Sequence, residues 1–114
     1  MLRAVIFGLF LIAAGSARSE TIYVKYRGEV DLAPFQCQDI TRSSFIFRVC
    51  YDAKESYVII KLRSIYYHYC EIDRPTIDAF LAADSMGNFF NEKIASNAKN
   101  GKPYDCRTHR MPTY

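Results

Sequence analysis

The apolar positions between residues 43 and 70 fall into short runs rather than helical stripes. In "SSFIFRVCYD", Phe45, Phe47, Val49 and Tyr51 alternate with Ile46, Arg48 and Cys50, the period of two that predicts a strand. "YVIIKL" is rich in β-branched residues and apolar on both faces, which predicts a central strand. "IYYHYC" predicts a third, and the short connections "AKES" and Arg63-Ser64 make the three an antiparallel meander.

The period then changes. Asp73 reads as a helix N-cap with Pro75 in the first turn, and Ile77, Phe80 and Leu81 form an i, i+3, i+4 stripe. Asp84-Ser85 breaks the pattern. Ser85 caps a second helix whose stripe is Met86, Phe89, Phe90 and Ile94, ending at Asn100-Gly101. Upstream, Ile22, Val24 and Tyr26 alternate with Tyr23, Lys25 and Arg27. Val30 and Leu32 resume the alternation after Gly28, as in an added edge strand or an ordered arm. The expected fold is α+β: a small three-stranded antiparallel meander packed against two helices, with an extended N-terminal segment.

The first residues alter the count of what folds. Arg3, an apolar run from Ala4 to Ala14 and the small residues Gly15-Ser16-Ala17 have the layout of a secretory signal peptide. The run is short of the ~20 residues that cross a bilayer; the alternative is an N-terminal membrane anchor. Cleavage after Ala17 leaves a mature chain expected to carry no transmembrane segment and to be periplasmic or secreted. The organisation is then 1–17 signal peptide, 18–42 N-terminal extension, 43–105 domain and 106–114 basic tail. A net charge of +3 is too mild for a dedicated nucleic-acid binder.

Export makes the four cysteines, Cys37, Cys50, Cys70 and Cys106, read as two disulfides. The competing reading is a metal site from His68, Cys70, Cys106 and His109, but no CxxC knuckle is present, so no metal and no cofactor are expected. In a meander Cys50 and Cys70 lie two strand spacings apart, about 9.6 Å, beyond the ~7 Å a bridge tolerates. Two pairings remain: Cys37–Cys50 with Cys70–Cys106, or Cys37–Cys70 with Cys50–Cys106. The first is preferred, because "ITRSS" can turn the chain back and the shorter loop closes at lower entropic cost.

"IYYHYC" also concentrates candidate chemistry. On a strand Ile65, Tyr67 and Tyr69 face one way and Tyr66, His68 and Cys70 the other. That separates the histidine from the Tyr67/Tyr69 pair and disfavours a His–Tyr–Cys catalytic cluster. His68 has no acidic or hydroxyl partner placed by sequence.

Ser44, Tyr51-Asp52, Tyr67-His68-Tyr69, Ala83-x-Ser85-x-Gly87-x-Phe89-Phe90-Asn91 and Ile94, in this order and spacing, resemble the KTSC domain. This is a short bacterial domain named after the C-terminus of some lysyl-tRNA synthetases. The resemblance covers roughly residues 43 to 105, and the four cysteines suggest an exported subgroup. It implies candidate binding residues Tyr67, Tyr69, Ser85, Gly87 and Asn91, and transfers no catalytic residue. The synthetase fusion implies RNA binding for cytoplasmic relatives.

Each candidate has a plainer alternative. Tyr67 and Tyr69 form a stacking platform, or pack under the helices. Ser85-Met86-Gly87-Asn88 forms an anion-binding helix start, or caps the helix while Gly87 admits another backbone. Lys99, Lys102, Arg107, His109 and Arg110 bind anionic cell-envelope polymers or lipid headgroups, or are solvated charge. The expected function is an exported, disulfide-stabilised, non-enzymatic binding or interaction module. Its expected partner is an anionic cell-envelope component or a protein, with RNA the alternative that export argues against.

Overall fold

The computed structural model describes residues 20–98 and 101–114; the signal-peptide reading of residues 1–17, Lys99 of the basic patch and the helix stop at Asn100 lie outside them. The meander is present as β4 (Ile46–Asp52), β5 (Tyr57–Leu62) and β6 (Ile65–Tyr69), each antiparallel to the next. It forms half of a larger sheet. The segment before it supplies β1 (Thr21–Val24), β2 (Gly28–Asp31) and β3 (Gln36–Asp39), and the strand order is β2-β1-β6-β5-β4-β3. The three-stranded expectation is therefore corrected to six. The extension zips onto both open edges of the meander: β1 pairs parallel with β6, and β3 pairs antiparallel with β4.

β5 is the centre. Tyr57, Val58, Ile59 and Ile60 are all fully buried, which explains why that run is apolar on both faces. On one face Val49, Tyr51, Val58, Ile60 and Tyr69 pack against Ile77, Phe80, Met86, Phe90 and Ile94 of the helices. On the other, Cys50, Tyr57, Ile59 and Cys70 pack with Ile22, Val24, Val30, Leu32 and Phe35. The alternation of Ile22 and Val24 with exposed Tyr23 holds as read. Tyr26 does not join them: it turns the β1–β2 hairpin at φ +73° and is exposed.

The strict alternation expected over 45–51 also breaks. The β4–β5 register shifts between Ile46 and Arg48. This bulge turns Ile46 into the helix-side core with Val49 and Tyr51, and leaves Phe47 outside.

The first helix, α1 (Arg74–Ala82), starts as expected: the Asp73 carboxylate accepts from Thr76 N–H, with Pro75 in the first turn. The second, α2 (Met86–Phe89), is capped by Ser85, whose hydroxyl accepts from Asn88 N–H. It runs only four residues before widening into a π-turn over Phe90–Ile94, so the single helix expected to reach Asn100-Gly101 stops near Ala95. The widening keeps Met86, Phe90 and Ile94 on the core side. No described helix is long and apolar enough to cross a membrane.

Both disulfides of the preferred pairing are formed, Cys37–Cys50 and Cys70–Cys106. The first follows the expected route: "ITRSS" lies in the connection that turns the chain from β3 back along β4. Cys37 and Cys50 are directly opposite partners across β3 and β4, with Cα atoms 3.9 Å apart.

Candidate ligand-binding surface

The two tyrosines of the Tyr-x-Tyr strand have different fates. Tyr69 is core: it is buried, and its ring meets Phe90 edge-on at 5.7 Å. Burial pushes its hydroxyl well above the usual tyrosine range. Tyr67 packs only partly against that core, because the helices cover β4 and β5 but leave the β1 side of the sheet open.

β1 completes that open area. Val24 is the register partner of Tyr66, and Lys25 N–H donates to Tyr66 C=O. One step along, Tyr23 and Lys25 share the face of Ile65 and Tyr67. Lys25 Nζ lies 5.7 Å from the centre of the Tyr67 ring and 5.3 Å from that of Tyr26, within cation–π reach of both. Tyr23 is 69% and Tyr26 78% exposed, and Ile65 is exposed with them. The result is a shallow aromatic surface with the Lys25 ammonium among the rings. Tyr23 and Tyr26 were not candidates on sequence. The signal was present in the polar-side placement of Tyr23, but not in Tyr26, whose exposure depends on the positive-φ turn.

Ser85, Gly87 and Asn91 lie at the start of α2, within it and on the π-turn, elements that pack on the same side of the sheet as Tyr67. The Ser85 hydroxyl is engaged in capping. Gly87 is a packing position: a Cβ there would stand 2.8 Å from Phe45 Cε1. Asn91 is exposed. Three of the five candidates thus have structural roles: Ser85 in capping, Gly87 in close packing and Tyr69 in the core.

The opposite face holds a second cluster, and here the sequence reading of His68 needs correction. His68 Nδ1 is 2.7 Å from the hydroxyl of fully buried Tyr57. Arg27 lies 5.2 Å over the Tyr57 ring and 5.1 Å over that of Tyr114. It also donates to Pro112 C=O, while Tyr114 donates to Asp52 at 2.7 Å. Burial, aided by the Arg27 charge and opposed by Asp105, lowers the His68 pKa, so the imidazole is held neutral. The tail is thus fastened across this face by more than Cys106.

The tail's cations are largely paired. Arg107 binds Asp105 at 2.9 Å, and Arg110 binds Glu55 at 2.9 Å. The Arg107 hydrogen bonds hold the Asp105 carboxyl down at about 2. Cys70 and Cys106, the thiols of the metal alternative, are bonded to each other.

The sequence model of the KTSC domain matches residues 42–97. Residues 42–97 belong to the KTSC domain family. The match covers the meander, α1, α2 and the π-turn, while β1, β2, β3 and the tail lie outside it. Ser85, Gly87 and Tyr69 of the KTSC domain are here a cap, a close contact and a core residue. No curated protein matches the chain.

Proposed function

We propose that this chain is an exported, disulfide-stabilised binding module whose ligand face is the aromatic surface of Tyr23, Lys25, Tyr26, Ile65 and Tyr67. The supporting observation is that exposed rings with a cation among them lie together at the β1–β6 side of the sheet. Aromatic rings in that setting stack on the flat faces of sugars or bases, and an ammonium adds attraction for a carboxylate or phosphate. The ligand class is an anionic polymer of the cell envelope with ring-shaped units. Two disulfides are compatible with an oxidising compartment and support export. The proposal includes no enzymatic activity.

The test is an NMR titration with an acidic glycan fragment and a neutral one of equal length. The acidic fragment should shift the β1 and β6 amides, and Tyr23→Ala with Tyr26→Ala should weaken binding about 10-fold or more, given ~1–3 kcal/mol per stacked ring. Equal affinity in the double variant overturns the reading. The same stacking geometry also suits single-stranded RNA, the second reading. Tight binding of an oligonucleotide that collapses steeply with salt, with none to the glycan, favours that reading instead.

A further inference from the structure

The two edges of the sheet are guarded differently. On β2, Glu29 and Asp31 stand exposed on one face. A second β2 laid alongside would set carboxylates near carboxylates, which opposes pairing. β3 has no such guard. Gln36-Cys37-Gln38-Asp39 is exposed throughout and contains neither Pro nor Lys. Its one charged residue, Asp39, lies 3.5 Å from Arg48 of its own chain. Helix α1 does not close over this edge: a cleft of about 300 Å³, lined by Gln36, Gln38, Val49, Tyr51, Arg74 and Leu81, lies between them.

The register says which backbone groups are free. Ile40 N–H donates inward to Phe47 C=O. By alternation Gln36 and Gln38 also face β4, while Cys37 and Asp39 turn their N–H and C=O outward. The close 3.9 Å approach of Cys37 to Cys50 fits the non-hydrogen-bonded pair this requires. Among the described residues no backbone hydrogen bond reaches those outward groups.

We propose that β3 is a self-association edge, on which a second copy of this chain pairs its own β3 antiparallel about a two-fold axis at Gln38. Cys37 of each copy then faces Asp39 of the other, and each such pair exchanges both N–H···O bonds. Gln38 faces its own symmetry mate on the helix side, where the two amides can bond to each other. Gln36 faces Ile40. No like charges oppose one another in this register, in contrast to β2. The complementarity is to the chain itself, so the strand that pairs here is a second copy and not a foreign one.

Only a short strand is paired, so the dimer belongs to the weak, concentration-dependent class. Sedimentation velocity should show monomer at about 10 µM and growing dimer toward about 1 mM. Asp39→Pro removes an outward N–H without touching the β4 ladder, and Gln38 is already extended as the residue before proline must be. Gln38→Lys sets two ammonium groups against each other across the axis. Gln38→Lys should keep the wild-type unfolding midpoint, Asp39→Pro should lose only the small contribution of the exposed Arg48 ion pair, and both should weaken the dimer about 10-fold or more. In hydrogen exchange, the Cys37 and Asp39 amides should gain protection with concentration, while the Gln38 amide stays protected throughout. A chain that remains monomeric at the highest concentration overturns the proposal, as does a dimer that persists in both folded variants or protects other amides instead.

Discussion

The hydroxyl of Tyr57 lies 2.7 Å from Nδ1 of His68, joining two adjacent strands on the face that the C-terminal tail covers. Ile59 is the register partner of His68, so Tyr57 reaches it along the diagonal of the β5–β6 pair. With the hydroxyl donating, the imidazole accepts at Nδ1 and carries its proton on Nε2.

The burial of His68 on this face, with the Arg27 charge nearby, gives stability a pH dependence. The folded pKa of His68 lies below its ordinary value, so the unfolded chain takes up the proton first as pH falls. The contribution is complete above the unfolded value, near 6.5. It is lost progressively as pH drops from there toward the folded value. Denaturant midpoints measured across that window should fall with pH in the wild type, and His68→Gln should flatten the slope. An unchanged slope in the variant means that another group carries the titration.

Phe80 and Phe90 are the helix side of the main core, at 0% and 4% exposure. Truncating either to Ala should cost ~3–5 kcal/mol, the range for a large buried aromatic. Chemical denaturation checks this; midpoints that barely move would contradict the packing described.

Gly87→Ala should destabilise by about 1–3 kcal/mol, because the new methyl overlaps the Phe45 ring. Shrinking that ring relieves the clash. The double variant Gly87→Ala/Phe45→Leu should therefore be less destabilised than the two single effects added together. Strict additivity in the cycle would remove Phe45 as the cause.

The two bridges close loops of different length, with sequence separations of 13 and 36. Chain entropy alone assigns about 3 kcal/mol to the shorter and about 4 kcal/mol to the longer. Replacing Cys70 and Cys106 together by Ser should thus cost more than replacing Cys37 and Cys50, and should also loosen the Tyr114–Asp52 contact. Non-reducing peptide maps, with thermal unfolding of each double variant, report both.

The meander, the capped helix starts and the disulfide pairing were legible because each rests on local pattern or short-range geometry. Asp73 and Ser85 sit one residue before their helices with the right side chains, and the fully apolar "YVIIKL" has to be central. What was not legible depends on partners distant in sequence. β3 is fixed by Cys50 and its neighbours, β1 by a parallel pairing with β6, and Arg27 by Pro112. A bulge at Ile46 and a positive φ at Tyr26 each reverse the direction of a side chain that strict alternation assigns wrongly. The candidate site moved for the same reason. Tyr67 remains partly open while Tyr69 is sealed, and the rings that join Tyr67 come from a strand the pattern left as an arm.

Since the second face of β5 is covered by β1, β2 and the 32–35 segment, residues 42–97 excised from this chain would present Tyr57, Ile59 and the unbridged Cys50 and Cys70 to water. The recognisable domain and its flanks are therefore not a module with appendages. They should melt as one cooperative body, and a fragment trimmed to the family boundaries should associate through its bared face before it behaves as a domain.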